Sequence, residues 1–143
     1  MKKNNPRSGV LYSIYMLLNP LPFGFFVAGW IFDIFYNKTA EILWAKAAAW
    51  CITFGLLFCI IPRFINLFYV WFRPVIEQRR SDVVGFWLYG FAIIAATLNA
   101  FIHSRDAFAI VPANIILSTL TVLLIALHYL YQSTHIQNKL IGE

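Results

Sequence analysis

Residues 107–131 read AFAIVPANIILSTLTVLLIALHYLY, without a single Asp, Glu, Lys or Arg. Crossing the hydrocarbon core of a bilayer takes ~20 predominantly apolar residues in a helix. This run is long enough, and Pro112 falls in its opening turns, where a missing N–H is tolerated. Three further runs of similar character precede it, at about residues 11–36, 44–72 and 83–102. The first carries Asn19-Pro20-Leu21-Pro22 and Gly24, which a smooth helix does not accommodate. It is expected to be kinked, or to have a short helix over 11–18 followed by the main span over 21–36. The connections hold only a few residues each, too few for an extramembrane domain. The fold class is therefore all-α: an integral membrane bundle of four transmembrane helices in one domain over residues 1–143.

Composition points the same way. Hydrophobic residues make up 61% of the chain and charged residues 12%, against ~45–50% and ~25% in soluble domains. The formal net charge of +5 sits in short segments between apolar runs, where it sets topology and meets anionic lipid. No nucleic-acid-binding motif accompanies it, and no nucleic-acid partner is expected. Met1-Lys2-Lys3 before an apolar stretch resembles a signal peptide, but no convincing small-residue cleavage site follows, so the segment is expected to be retained. Cys51 and Cys59 lie eight apart in one run, about 12 Å along a helix axis, which is too far for a disulfide. They read as small packing residues. Ala47, Ala48 and Ala49 in the second run and Ala92, Ala95 and Ala96 in the third suggest close helix contacts.

Ionisable residues inside a span are functional candidates by default. Arg63 lies about 13 Å from the inner end of the second run. Asn19, Asn66, Tyr89 and His128 are its plausible neighbours, and together they form a candidate site for an anionic headgroup or a quinone oxygen. The plainer alternative is that Arg63 snorkels to the interface or satisfies carbonyls freed by Pro62. Asp33 lies near the opposite surface, too far to pair with Arg63. It is expected in an outer cluster with Lys38, His103, Arg105 and Asp106, or in an ordinary interfacial salt bridge of little energy. His103 and His128 sit at opposite ends of their spans, roughly 30 Å apart in depth, so one chain cannot give a haem two axial imidazoles. No Ser-His-Asp arrangement and no metal-ligand spacing is visible, and catalysis is not expected.

The stretch Asn19-Pro20-Leu21-Pro22-Phe23, with the apolar run that ends at Asp33, resembles the opening of the DUF2231-like family of small four-helix membrane proteins. Those chains open the first span with a His-Pro-Leu-x-x-His-Phe-Pro-like motif. Gly55 and the break at Pro62, the basic Arg79-Arg80 loop, a third span ending near Arg105 and a Tyr-containing tail follow the same layout. The resemblance implies four helices and an inner-membrane location. Asn19 and Gly24 stand where the family's histidines fall, so any haem or metal that those histidines hold is not implied for this chain.

Three functional readings follow. The first is a non-catalytic accessory or structural subunit of a larger membrane complex, respiratory or dehydrogenase in type, with other membrane subunits and lipid as partners. The second is an electron-transfer protein handling quinone or haem at the inner group. The third is a small homo-oligomeric transporter or channel, lined by Asn99, Ser118 and Thr121. Topology is more sharply defined. Lys2, Lys3, Arg7, Arg73, Arg79, Arg80 and Lys139 fall on one side of four spans, and Lys38, Lys46 and Arg105 on the other. The richer side faces the cytoplasm of a bacterial inner membrane. Reporter fusions at both ends are expected to place both termini inside; a C-terminus mapped outside contradicts this topology.

Overall fold

The computed structural model describes residues 9–72 and 79–141, and over these the chain is a four-helix bundle with an extra leading helix. The helices are α1 (Gly9–Leu18), α2 (Leu21–Thr39), α3 (Ile42–Phe72), α4 (Arg79–His103) and α5 (Ala113–Ile141). Four spans are long and apolar enough to cross a membrane, which makes the chain a multi-pass membrane protein. Lys2, Lys3, Arg7 and Arg73 lie outside the described residues, as does the signal-like start.

Local chemistry sets most of the boundaries. Asn19 and Pro20 separate α1 from α2, and Pro22 follows in the first turn of α2, where its missing N–H costs no bond. α2 stops at Ala40, which takes the left-handed conformation (φ 57°) and donates its N–H to the Tyr36 carbonyl at 2.8 Å. That single residue turns the chain into α3. Pro62 does not break α3, which runs unbroken to Phe72; a transmembrane helix keeps an internal proline where its neighbours cover the freed groups. The last span differs from the expected 107–131 at both ends. Residues Ala107–Ile110 form a 3₁₀ turn, and α5 opens only after Pro112, because the residue before a proline is pushed out of the α region. It then continues to Ile141, since leaving the apolar run does not end a helix that meets no proline or glycine.

From α2 to α5 each helix packs on the next, and α5 closes the ring against α2. Between apolar helices in lipid, close contact comes from small residues that let backbones approach. Gly29 of α2 faces Ala48, Cys51 and Ile52 of α3, while Gly55 of α3 faces the Phe26 ring. The centre is an apolar layer of Phe26, Tyr89, Ala92, Ala96 and Ile125. A smaller cluster of Tyr36, Ala45 and Ile110 lies toward the α2–α3 turn. The large side chains left outside, Trp50, Phe64 and Phe101 among them, cover the surface that lipid would touch.

A methyl group at position 55 would sit 2.7–3.0 Å from three atoms of the buried Phe26 ring, whereas one at position 24 meets nothing within 4 Å. Gly55→Ala is therefore expected to lower stability by about 1–3 kcal/mol, and Gly24→Ala to leave it near wild type. Thermal unfolding in detergent checks the difference.

Candidate functional site

Polar side chains gather at the two ends of the bundle, on either side of the Phe26 layer. Asp33 of α2 anchors the first group and is fully buried, at 0% exposure. Its Oδ1 lies 2.9 Å from His103 Nε2 of α4 and accepts from Asn114 Nδ2 of α5 at 3.1 Å. Asn99 of α4 approaches Oδ2 at 3.5 Å. One carboxylate thus ties three helices together.

Proton positions follow from the partners. Asn37 donates to the Asp33 backbone carbonyl at 2.8 Å and to Asn114 Oδ1 at 3.2 Å. A carbonyl only accepts, so the amide of Asn37 is fixed, and that in turn points the NH₂ of Asn114 at Asp33. His103 Nδ1 lies 2.9 Å from the Asn99 backbone carbonyl and must donate to it. Its other nitrogen faces the carboxylate, so one proton lies between Nε2 and Oδ1. The pair carries no net charge, which is the condition for burying it in a membrane.

Lys38, Arg105 and Asp106 are exposed and stay outside this group. Arg105 and Asp106 instead line a cleft of about 250 Å³ beside His103, with Lys46 on its far wall. Of the expected outer cluster, only Asp33 and His103 come together. Nor is Asp33 an ordinary interfacial salt bridge: both partners are enclosed, with side chains 0% and 2% exposed.

The second group is built round Arg63 of α3. One guanidinium N–H donates to Asn19 Oδ1, at the junction of α1 and α2. The guanidinium carbon lies 3.7 Å from the centroid of the Tyr89 ring of α4. This is a cation–π contact, worth ~2 kcal/mol or more when desolvated. Tyr89 in turn packs edge-on against His128 of α5, with centroids 5.2 Å apart. His128 Nδ1 donates to the Gly85 carbonyl at 2.8 Å, an approach open because residue 85 has no side chain. Tyr129 donates its hydroxyl to the Asn19 backbone carbonyl at 3.2 Å. Asn19, Arg63, Tyr89 and His128 are thus brought together. Asn66 lies one turn further along α3 and bonds to none of them.

This group leaves more unmade than the first, in which Asn99 Oδ1 is the buried polar atom without a partner among the described residues. Among the described residues, Arg63 Nε and Nη1 are buried without a hydrogen-bond partner, as is the Tyr89 hydroxyl. Its bonded N–H reaches Asn19, at the junction of α1 and α2, rather than a carbonyl freed by Pro62. Beside it, α3 and α4 leave a groove of about 430 Å³. Leu56, Cys59, Ile60 and Leu67 line one wall, Phe86 and Ile93 the other, and among the described residues Arg63 is its one charged residue. Ile60, Phe64 and Leu67 are exposed, so the groove opens sideways from the bundle.

His103 and His128 belong to separate groups. Gly85, which holds His128, is eighteen residues along α4 from His103, about 27 Å. Cys51 and Cys59 are free thiols. Among the described residues no group of three or more His, Cys, Asp or Glu could hold a metal ion.

Asn37 and Asn114 escape a reading of single spans, and Asn99 reads there as a pore residue. Their spacing carries the missed signal. Asp33 and Asn37, Asn99 and His103, and Asn114 and Ser118 are each four apart, hence on one helix face.

Asp33→Asn and His103→Ala each leave a buried group facing a partner that no longer matches it. Each is expected to cost about 3–5 kcal/mol in detergent unfolding, and Asp33→Asn combined with His103→Ala to cost less than the two single changes added. Two single changes that are both near neutral would show that the pair does not hold the helices. The chain matches no protein-family model, no curated protein and no solved structure, so the groups at its two ends are read on their geometry alone.

Proposed function

We propose that this multi-pass membrane protein works by binding, not catalysis, and that its site is the groove between α3 and α4. The observation that carries this is Arg63: a guanidinium with two buried, unpartnered nitrogens beside an otherwise uncharged groove. Leaving such donors unmade in a low-dielectric interior costs about 1–3 kcal/mol each, more for a charged group. A ligand that supplies oxygen acceptors recovers that energy, and the apolar walls accept its tail. An amphiphile has both parts: a polar head rich in oxygen and a hydrocarbon chain. Quinones and membrane lipids belong to this class.

The setting of the proposal is a bacterial inner membrane, with both termini and the Arg63 end on the cytoplasmic side. The charge asymmetry of the connecting segments supports it. Kinship with the DUF2231-like family is part of the same proposal, supported by the helix break at Asn19-Pro20 and by Asp33 in the last turns of the first span.

A second reading, an accessory subunit of a larger membrane complex, is favoured by one surface feature. Phe25 of α2 stacks on Phe58 of α3 with centroids 5.5 Å apart, and Trp50 stacks on Phe54 at 5.7 Å. This stiff aromatic ladder on the outside of α2 and α3 suits a neighbouring helix better than mobile acyl chains. The homo-oligomeric pore finds no such support, because Asn99, Ser118 and Thr121 are buried inside the single chain, at 1%, 3% and 2% exposure, and do not face a neighbouring copy.

Purification in mild detergent, followed by solvent extraction and mass spectrometry, tests the binding reading. Wild-type protein is expected to release a stoichiometric amphiphile, and Arg63→Ala to release several-fold less. Equal yields from both proteins would remove Arg63 from the site. A second membrane protein in the same fraction would support the accessory role, and a lone chain would count against it.

A further inference from the structure

Resting on the groove reading above, we infer that the occupant is an anionic phospholipid of the leaflet at the Arg63 end, with its phosphate on Arg63 and one acyl chain along the groove. Charge decides the head. Among the described residues Arg63 has no carboxylate partner; it touches the neutral Asn19 side chain and the neutral Tyr89 ring. The one fully buried acid, Asp33, is committed to His103. It also lies twelve residues along α2 from Leu21, roughly 18 Å away. A quinone carbonyl would accept a hydrogen bond but leave the positive charge uncompensated. An anionic phospholipid head supplies several phosphate oxygens and a net opposing charge together, without the choline cation that neutralises a zwitterionic head, and guanidinium is the side chain best shaped for phosphate.

Depth agrees. α2 has 19 residues, about 28 Å, close to the ~30 Å of a hydrocarbon core. With α2 alone taken as the span, its first turn sits at one edge of that core, and Asn19, just before it, holds Arg63 at this edge. Lipid phosphates lie there. From Arg63 the groove runs seven residues along α3 to Leu56, about 10 Å toward the middle of the membrane. The polar atoms on its walls are already used: Thr97 donates to the Ile93 carbonyl and Cys59 to the Leu56 carbonyl. Past the guanidinium the groove is suited only to hydrocarbon.

Delipidated protein in micelles, titrated with phosphatidylglycerol, phosphatidylcholine or a short-chain ubiquinone and read by native mass spectrometry, tests this. Wild type is expected to bind phosphatidylglycerol at least about tenfold more tightly than the other two, a difference of about 1.4 kcal/mol. Arg63→Gln should abolish that preference, and Arg63→Lys should keep part of it. Gly90 lines the groove, and a methyl group there meets nothing within 4 Å. Gly90→Leu therefore fills the groove while leaving Arg63 in place, and should weaken all three ligands. Phosphatidylcholine or ubiquinone binding as tightly as phosphatidylglycerol, with Gly90→Leu still blocking them, would overturn the anionic lipid and keep the groove. Binding unchanged in Gly90→Leu would overturn the groove itself.

Discussion

The Asp33 carboxylate is the constraint on which the arrangement of the helices depends. A charge enclosed among apolar helices is tolerated only when its partner and its remaining lone pairs are satisfied. Asp33 meets that demand with groups from two other helices, His103 on α4 and Asn114 on α5. A shift of one helical turn in any of the three would separate them. Lipid offers no hydrophobic drive to bring helices together, and small residues give closeness without register. The polar knot supplies the register, and the glycine and alanine contacts between α2 and α3 then fill in around it.

The Arg63 end follows the opposite logic. It has the same kind of parts: a charge, an asparagine, an aromatic ring and a histidine on facing helices. Yet the guanidinium keeps two nitrogens free beside a groove. The neutral, closed pair at one end is structural, holding three helices. The cation at the other end keeps unpartnered donors, and these are what the proposed ligand would use. Tyr89 and His128 position it: the ring of Tyr89 lies under the guanidinium, and His128, fixed by the Gly85 carbonyl, holds that ring in place.

Much of this was legible in the sequence. Four apolar runs gave the bundle, and the prolines after Asn19 gave the separate first helix. Arg63, Asn19, Tyr89 and His128 could be grouped because helical rise puts them at one depth. What was not legible came from facing direction. Depth also grouped Asp33 with Lys38, Arg105 and Asp106, but these three point outward, while Asn99 and Asn114 point in. A count of residues along one span gives level and not azimuth, and azimuth depends on how neighbouring helices rotate. The expected span over 44–72 ran through Pro62, as α3 does; only the family layout put a break there, and the packing that covers the proline comes from other helices. The groove is a property of two helices together, so no single stretch announces it.

The most direct test of the account is the distance between the Arg63 guanidinium and lipid phosphorus. Dipolar recoupling by solid-state NMR, on protein with ¹⁵N-labelled arginine in bilayers containing phosphatidylglycerol, reads it. At the one arginine signal that is lost in Arg63→Gln, the account predicts a nitrogen–phosphorus coupling at hydrogen-bonded range that is absent in bilayers of phosphatidylcholine alone. An Arg63 signal without that coupling, or one whose coupling is as strong in phosphatidylcholine alone, would contradict it.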